Sequence, residues 1–427
     1  MKVDVLHDPT LDETVHRAIL PSGLTAYVVH KPEFTRSYAT IGTRYGSVDT
    51  RLGRDRKGKR IPDGTAHFLE HKMFETPEGD AFDKFAALGA SANAYTSFTN
   101  TQYLFGTSTN YEENLETLFD LVYDLDLTPE SVEKEKGIIC QEIAMYDDDP
   151  DWRIYFGALQ CLYKRNPLRI DIAGTKQSIA PITMELLQEV HRTYYHPRNM
   201  VLAAVSPEPV KTTLEIAQRE LGKRRFGAAP MRRPPAPRES RTAAQRSWDL
   251  PLTVSRSRLL LACKDAAATR MGKPLLRREI ASAIALDCLF GNSGSIYLAL
   301  YEEGLIDESF SSGYTADPNF AFALVGGETD DLPRLRTMLD GELARARREG
   351  IDADAFERVR NKELGGFARA FNSPQNIAHV LTANYLRGTT IRDYREMLLK
   401  VKRSEVNQRL REIFDPKGRC YCTLRPR

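Results

Sequence analysis

The sequence predicts an α+β protein of two homologous halves, each a mostly antiparallel sheet with helices packed on one side. Three observations carry this. Short β-rich runs separated by turn residues alternate with segments of helical period. Local patterns of the first half return in the second at similar offsets. A Pro- and Arg-rich stretch, residues 223–246, separates residues 1–222 from residues 247–427.

The echoes are specific. Thr128-Pro129-Glu130-Ser131-Val132-Glu133 returns as Asp352-Ala353-Asp354-Ala355-Phe356-Glu357. Gly174-Thr175 returns as Gly388-Thr389, and Tyr195-His196-Pro197-Arg198 as Phe414-Asp415-Pro416-Lys417. The offsets are 224, 214 and 219 residues.

The 427 residues suggest two to four domains, or two large ones, and 41% hydrophobic content is ample for their cores. A net charge of +2 leaves no global nucleic-acid footprint. Cys140, Cys161, Cys263, Cys288, Cys420 and Cys422 are scattered, with no C-x-x-C pair. Reduced thiols and a cytoplasmic protein are expected. Met1-Lys2-Val3-Asp4-Val5 has no apolar core, and no run of eighteen apolar residues occurs, so neither a signal peptide nor a membrane span is expected.

Residues 22–50 read as strands, among them Leu24-Thr25-Ala26-Tyr27-Val28-Val29-His30 and Tyr38-Ala39-Thr40-Ile41-Gly42. His30 stands alone and reads as structural. The basic run 51–60 reads as a solvated loop and leaves open a preference for acidic peptides. Then comes Gly64-Thr65-Ala66-His67-Phe68-Leu69-Glu70-His71-Lys72-Met73-Phe74, with no helix breaker after Ala66. On a helix His67 and His71 share a face, and Glu70 lies at its edge. Two His so spaced can hold one Zn²⁺, and the Glu can take a proton from a zinc-bound water. Asp63 or Thr65 is the expected cap. This H-x-x-E-H order is the inverzincin signature. The plain alternative is a surface helix with two solvated His.

Gly79 to Leu88 reads as a helix whose Phe82, Phe85 and Leu88 pack into the core. The segment Gly89 to Ser97 and Thr101-Gln102-Tyr103-Leu104-Phe105-Gly106 read as strands. Leu115, Leu118, Phe119 and Val122 mark another helix. A further helix opens with Thr128 as cap and Pro129 in its first position. Its Glu135 and Glu142, two turns apart, share a face with Val132, Ile139, Ile143 and Tyr146, so two carboxylates look inward and need a reason. Tyr146-Asp147-Asp148-Asp149-Pro150 reads as a solvated turn; a calcium loop would need more oxygen ligands at set spacing. A helix from Ile182 to Tyr195 and a buried strand, Met200 to Val205, close the half. The linker 223–246 is part extended by proline and lacks the interleaved aromatics of a nucleic-acid patch.

The His67–His71 motif followed by Glu135 and Glu142 resembles the metallopeptidase family of pitrilysin, insulin-degrading enzyme and mitochondrial processing peptidase. The resemblance implies that His67, His71 and Glu142 hold Zn²⁺, that Glu70 is the general base, and that Glu135 orients a ligand. It implies that Gly89 to Ser97 is an edge strand on which a peptide adds as a further strand, contacted by Asn93, Ala94 and Tyr95. The wording through Lys72-Met73-Phe74-Glu75 is similar to a bacterial subgroup whose members work as unequal pairs.

The second half does not repeat the chemistry. Glu142 corresponds to Gly366, and Leu286 to Gly294 contains no His. The family's second half carries an Arg and a Tyr that hold the substrate carbonyl. Here Tyr301 stands at the Arg position, and Asp307 or Glu308 at the Tyr position. Asn384-Tyr385-Leu386-Arg387 sits elsewhere, in a helical stretch. The expected protein is therefore a zinc endopeptidase for short or unfolded peptides, paired with a paralogous subunit that supplies Arg and Tyr. A non-catalytic assembly subunit with a retained zinc is the alternative. A nucleic-acid binder would rest on the linker alone.

Overall fold

A computed structural model describes residues 2–52, 58–227, 237–265 and 270–427. Part of the basic run (53–57) and part of the linker (228–236) lie outside the described residues.

In chain order the first sheet is built from β1 (Val3–Asp8), β2 (Glu13–Ile19), β3 (Thr25–His30), β4 (Ser37–Thr43), β5 (Ala90–Thr96), β6 (Thr101–Thr107) and β7 (Met200–Ser206). The helices of this half of the chain are α1 (Thr65–Met73), α2 (Ala81–Ala87), α3 (Tyr111–Tyr123), α4 (Pro129–Asp148), α5 (Pro150–Leu162), α6 (Met184–Tyr194) and α7 (Val210–Gly222), besides the single turn Lys176–Ile179. The strand order is β1-β2-β3-β7-β4-β6-β5, antiparallel throughout except for β3 and β7. The expected strands and helices all form, with Gly79 to Leu88 trimmed to α2. The flanks of the linker are tied down: Arg224 pairs with Asp120 and Asp124, and Glu239 accepts from Lys264.

The rest of the chain supplies β8 (Ser247–Leu252), β9 (Ser257–Lys264), β10 (Ser311–Asp317), β11 (Phe320–Thr329) and β12 (Arg419–Pro426). The helices in this part of the chain are α8 (Lys273–Phe290), α9 (Ser295–Glu302), α10 (Leu332–Glu349), α11 (Ala353–Ala370), α12 (Pro374–Arg387), α13 (Ile391–Lys400) and α14 (Arg403–Ile413). The second sheet runs β8-β12-β9-β11-β10, with β8 and β12 parallel and the other pairs antiparallel. That is the arrangement of β3-β7-β4-β6-β5. The sequence echoes fall at matching points. Pro129 and Ala353 open α4 and α11, while Pro197 and Pro416 each open a single 3-10 turn before β7 and β12.

The chain divides into two compact units, and the division is not a single cut at the linker. Unit one comprises 1–143, 171–235 and 368–386; unit two comprises 144–170, 236–367 and 387–427. The reason is visible in what each sheet buries. In unit one, Val28, Ile41, Phe105 and Leu202 form a core with Phe68, Leu118, Phe119 and Leu214 from the helices. The opposite face carries Tyr27 and Tyr38, and α12 covers it: Tyr385 lies edge-on to Tyr27, and His379 accompanies Tyr38. In unit two, Leu259, Leu261, Val325 and Tyr421 form the core with Ile280, Ile284, Leu339 and Leu410. There α5 covers the opposite face, with Tyr155 against Phe322 and Gly157 so close to Trp248 that a Cβ would meet its ring at 2.7 Å. Helices thus pack on one side of each sheet, as expected, and one further helix covers the other side.

Lys273–Glu302 is long and apolar enough, at mean hydropathy 1.3, to pass a length-and-composition test for a membrane span. Leu276, Ile280, Ala281, Ile284 and Ala285 within it are buried in the core of unit two, which accounts for the apolar composition.

Candidate metal centre

The chain enters α1 through Gly64, at φ +92°, where a Cβ would meet the Ala173 carbonyl oxygen at 2.5 Å. This backbone fit replaces the expected side-chain cap. Thr65 is the first helical residue and donates its hydroxyl to the Pro62 carbonyl (2.7 Å), while Asp63 pairs with Arg60 (3.3 Å). Ala66, Phe68, Leu69 and Met73 are buried in the core and fix the rotation of the helix. His67 and His71 are left on the flank that meets α4, with ring centres 4.5 Å apart.

Helix α4 begins as expected, the Thr128 hydroxyl accepting from the Ser131 N–H (3.1 Å). Val132 and Ile139 are its buried residues. They seat the helix so that Glu135 and Glu142, two turns apart, reach α1. His71 Nδ1 and Glu135 Oε1 are hydrogen-bonded at 3.0 Å. The other contacts differ in kind. His67 Nε2 lies 3.6 Å from Glu142 Oε1, and His71 Nε2 lies 3.5 Å from Glu142 Oε2. Those separations exceed hydrogen-bond lengths. Two donors bound to one Zn²⁺ at about 2.0–2.2 Å stand about 3.3–3.6 Å apart. The three ligand atoms lie within 4.8 Å of one another, and the buried His67 Nδ1 has no hydrogen-bond partner. The residues therefore fit a metal ion of the zinc type. Glu135 fits the carboxylate–histidine arrangement that orients a metal-binding imidazole.

Glu70 points elsewhere. Its Oε2 accepts the hydroxyl of Thr96 on β5 at 2.5 Å, and the side chain is only 9% exposed. Burial raises its pKa, against the Thr96 hydrogen bond and the nearby His71. Burial, then His71, pushes His67 down to about 4, which keeps the imidazole neutral, the form a metal needs. Burial also opposes charge on His71, but the Glu135 hydrogen bond and the Glu142 charge outweigh it and raise its pKa.

Strand β5 is the edge of its sheet, with Asn93 opposite Leu104, Ala94 opposite Tyr103 and Tyr95 opposite Gln102. Asn93 and Tyr95 are exposed on one face; Ala92 and Ala94 pack on the core from the other. The Ala94 N–H donates to Asn93 Oδ1 (2.8 Å). Asn93, Ala94 and Tyr95 thus lie on the strand whose Thr96 holds Glu70.

Two features escaped the sequence reading. Thr96 lies inside the quoted edge-strand segment, and alternation along β5 puts it on the face of Ala92 and Ala94, but nothing local ties it to Glu70. Lys72 is a buried lysine, 1% exposed, that donates to the Ser131 carbonyl (3.4 Å) and pairs with Glu75. The expectation for Phe82 fails as well: it is 41% exposed, stacked on Phe74 instead of entering the core, although Phe85 is fully buried. In unit two, Tyr301 lies in the last turn of α9 at 56% exposure, and Asp307 pairs with Arg256. Neither is a cationic donor. Tyr385 lies against the Arg44 guanidinium, and Arg387 pairs with Glu279 (3.1 Å).

The family pattern described as Insulinase (Peptidase family M16) matches residues 58–176, and that described as Peptidase M16 inactive domain matches residues 181–363. The uncharacterized zinc protease YmfH of Bacillus subtilis strain 168 is 40% identical over 420 residues, 98% of each chain. A crystal structure of an M16-like peptidase from Alicyclobacillus acidocaldarius matches at 36% identity and a TM-score of 0.94, covering 99% of this chain and 100% of that one. Pitrilysin matches in fold, with a TM-score of 0.75 at 15% identity, over 100% of this chain and 46% of its own.

Proposed function

The chain belongs to peptidase family M16, and from that premise we propose that it is a zinc-dependent endopeptidase acting on short or unfolded peptides. The observation that carries this is the trio His67, His71 and Glu142, each imidazole 3.5–3.6 Å from a Glu142 oxygen and all three ligand atoms within 4.8 Å of one another, beside Glu70, a carboxylate turned to Thr96. A Zn²⁺ held there supplies a Lewis acid that polarises a peptide carbonyl and acidifies a water. The chain's own residues do the rest. Glu70 takes the proton of the attacking water and returns it to the leaving amine. Thr96 aims the Glu70 carboxylate, and Glu135 fixes the His71 ring. The peptide lies extended on the free edge of β5, along Asn93, Ala94 and Tyr95.

We read the chain as the metal-bearing partner of a heterodimer, because Tyr301 and Asp307 stand where carbonyl-holding groups are needed. Six unbridged cysteines support a reducing, cytoplasmic setting. The alternative, an assembly subunit with a retained zinc, is disfavoured by Glu70: a structural metal site has no use for a buried carboxylate held off the metal by a hydroxyl.

The test is metal analysis with a peptide assay. The wild-type chain is expected to carry one Zn²⁺ at this centre, and chelation abolishes hydrolysis. Glu142→Gln loses most of that metal. Full retention by the variant overturns the ligand assignment.

A further inference from the structure

The six cysteines are scattered in sequence, but three of them meet inside unit two. Cys161 sits in the last turn of α5. Cys420 and Cys422 stand two apart on β12, so both project to the face that α5 covers, while Tyr421 between them enters the opposite core. The three sulfurs lie within 4.8 Å of one another, and Cys420 Sγ is 4.0 Å from Cys422 Sγ. The side chains are 0–1% exposed, and all three thiols are free. Gln245 adds a carbonyl oxygen 3.8 Å from Cys161 Sγ, and its backbone N–H donates to the Cys161 carbonyl (2.9 Å).

We propose that Cys161, Cys420 and Cys422 form a second metal centre, for one soft, thiolate-seeking d¹⁰ ion, that staples α5 to the last strand of the chain. The spacing carries the argument. Metal–sulfur bonds of about 2.3 Å in a trigonal plane place sulfurs about 4.0 Å apart. A disulfide needs sulfurs about 2.05 Å apart, and two residues apart on an extended strand lie at the outer limit of its Cα range. Tyr421, held in the ladder between the pair, resists the kink that closure would require. Three sulfurs with no nitrogen or carboxylate among them select Cu(I) or Zn(II) over harder ions. Zn(II) would recruit the Gln245 oxygen as a fourth ligand; Cu(I) is content with three. The end of α5 is the negative pole of its dipole and favours a cation there. Such an ion joins residues 161 and 420, far apart in sequence, so its binding energy becomes folding energy of unit two.

The experiment uses the full chain with His67→Ala and His71→Ala, which silences the other centre and makes the result independent of the peptidase reading. The reduced protein is loaded in parallel with Zn(II) and with Cu(I) and studied by X-ray absorption at the metal edge. Three sulfur neighbours at about 2.3 Å, at one ion per chain, are expected in one arm, with a rise in melting temperature. That arm identifies the ion. Cys420→Ala abolishes binding, and Cys263→Ala, a buried cysteine outside the cluster, leaves it intact. Failure of both ions to bind through sulfur overturns the proposal without recourse to any cysteine variant. So does non-reducing mass spectrometry that finds two of the three thiols joined as a disulfide in protein purified under reducing conditions.

Discussion

Glu70 and Glu142 have the same side chain and belong to the same unit, yet one accepts a hydroxyl and the other faces two imidazoles. That difference is the ground for proposing different roles for them. Glu70→Gln keeps the fold and the metal but loses hydrolysis by about 10²–10⁴-fold, the scale of general-base catalysis. Near-normal turnover with full metal occupancy would exclude the base role. Thr96→Val removes one charge-assisted hydrogen bond of about 1.5 kcal/mol, so turnover falls about ten-fold while metal content stays unchanged. Helical spacing made two faces legible in the sequence, His67 and His71 with Glu70 at the edge on one helix and Glu135 with Glu142 on another; that the two faces meet came from the family resemblance. Thr96 was not legible, since its tie to Glu70 exists only once β5 and α1 have packed. The cysteine cluster was hidden for the same reason, as Cys161 meets Cys420 only after α5 has chosen its sheet.

At the level of elements, α1 delivers both imidazoles, and its direction depends on how the chain enters it. Capping rules pointed to Asp63 or Thr65, but the entry is a backbone fit: Gly64 lies against the Ala173 carbonyl, and Gly174 in turn lies against the Asp63 carbonyl. Sequence rules for caps describe side chains and are blind to two glycines meeting across the fold. Gly64→Ala places a Cβ at positive φ against a carbonyl. The expected cost is about 1–3 kcal/mol in urea unfolding. Metal affinity also falls, although no ligand has changed, because the strain shifts the first turn of α1. Unaltered stability together with unaltered affinity would show that the entry does not set the helix. Phe82 teaches a related limit: helical period marked it for the core, but α2 turns Ala81 and Phe85 inward and leaves Phe82 stacked on Phe74 at the surface.

For the whole molecule, the duplication was legible because it rests on local patterns, and both sheets repeat the same strand order. The exchange of α5 and α12 between units was not legible, because an apolar helix face does not say which sheet it covers. What the two halves do not share leads to the last prediction. Unit one brings together the residues proposed to hold the metal and to act as base. In unit two, the positions where the resemblance calls for a cation and a phenol hold Tyr301, more than half exposed, and Asp307, occupied by Arg256. Each missing donor to a developing oxyanion is worth on the order of 3 kcal/mol. A second copy of the chain repairs nothing, since it brings the same Tyr301 and Asp307. A different chain with Arg and Tyr at those positions does. The expected outcome is that the protein alone hydrolyses a fluorogenic peptide slowly, and that titration with such a paralogue raises kcat/KM by at least about 10²-fold and doubles the particle mass in light scattering. Tyr301→Arg in the lone chain recovers little, because the phenol is still absent. Full activity of the lone chain, with neither rate nor mass altered by the paralogue, would mean that the carbonyl is held by other residues of this chain.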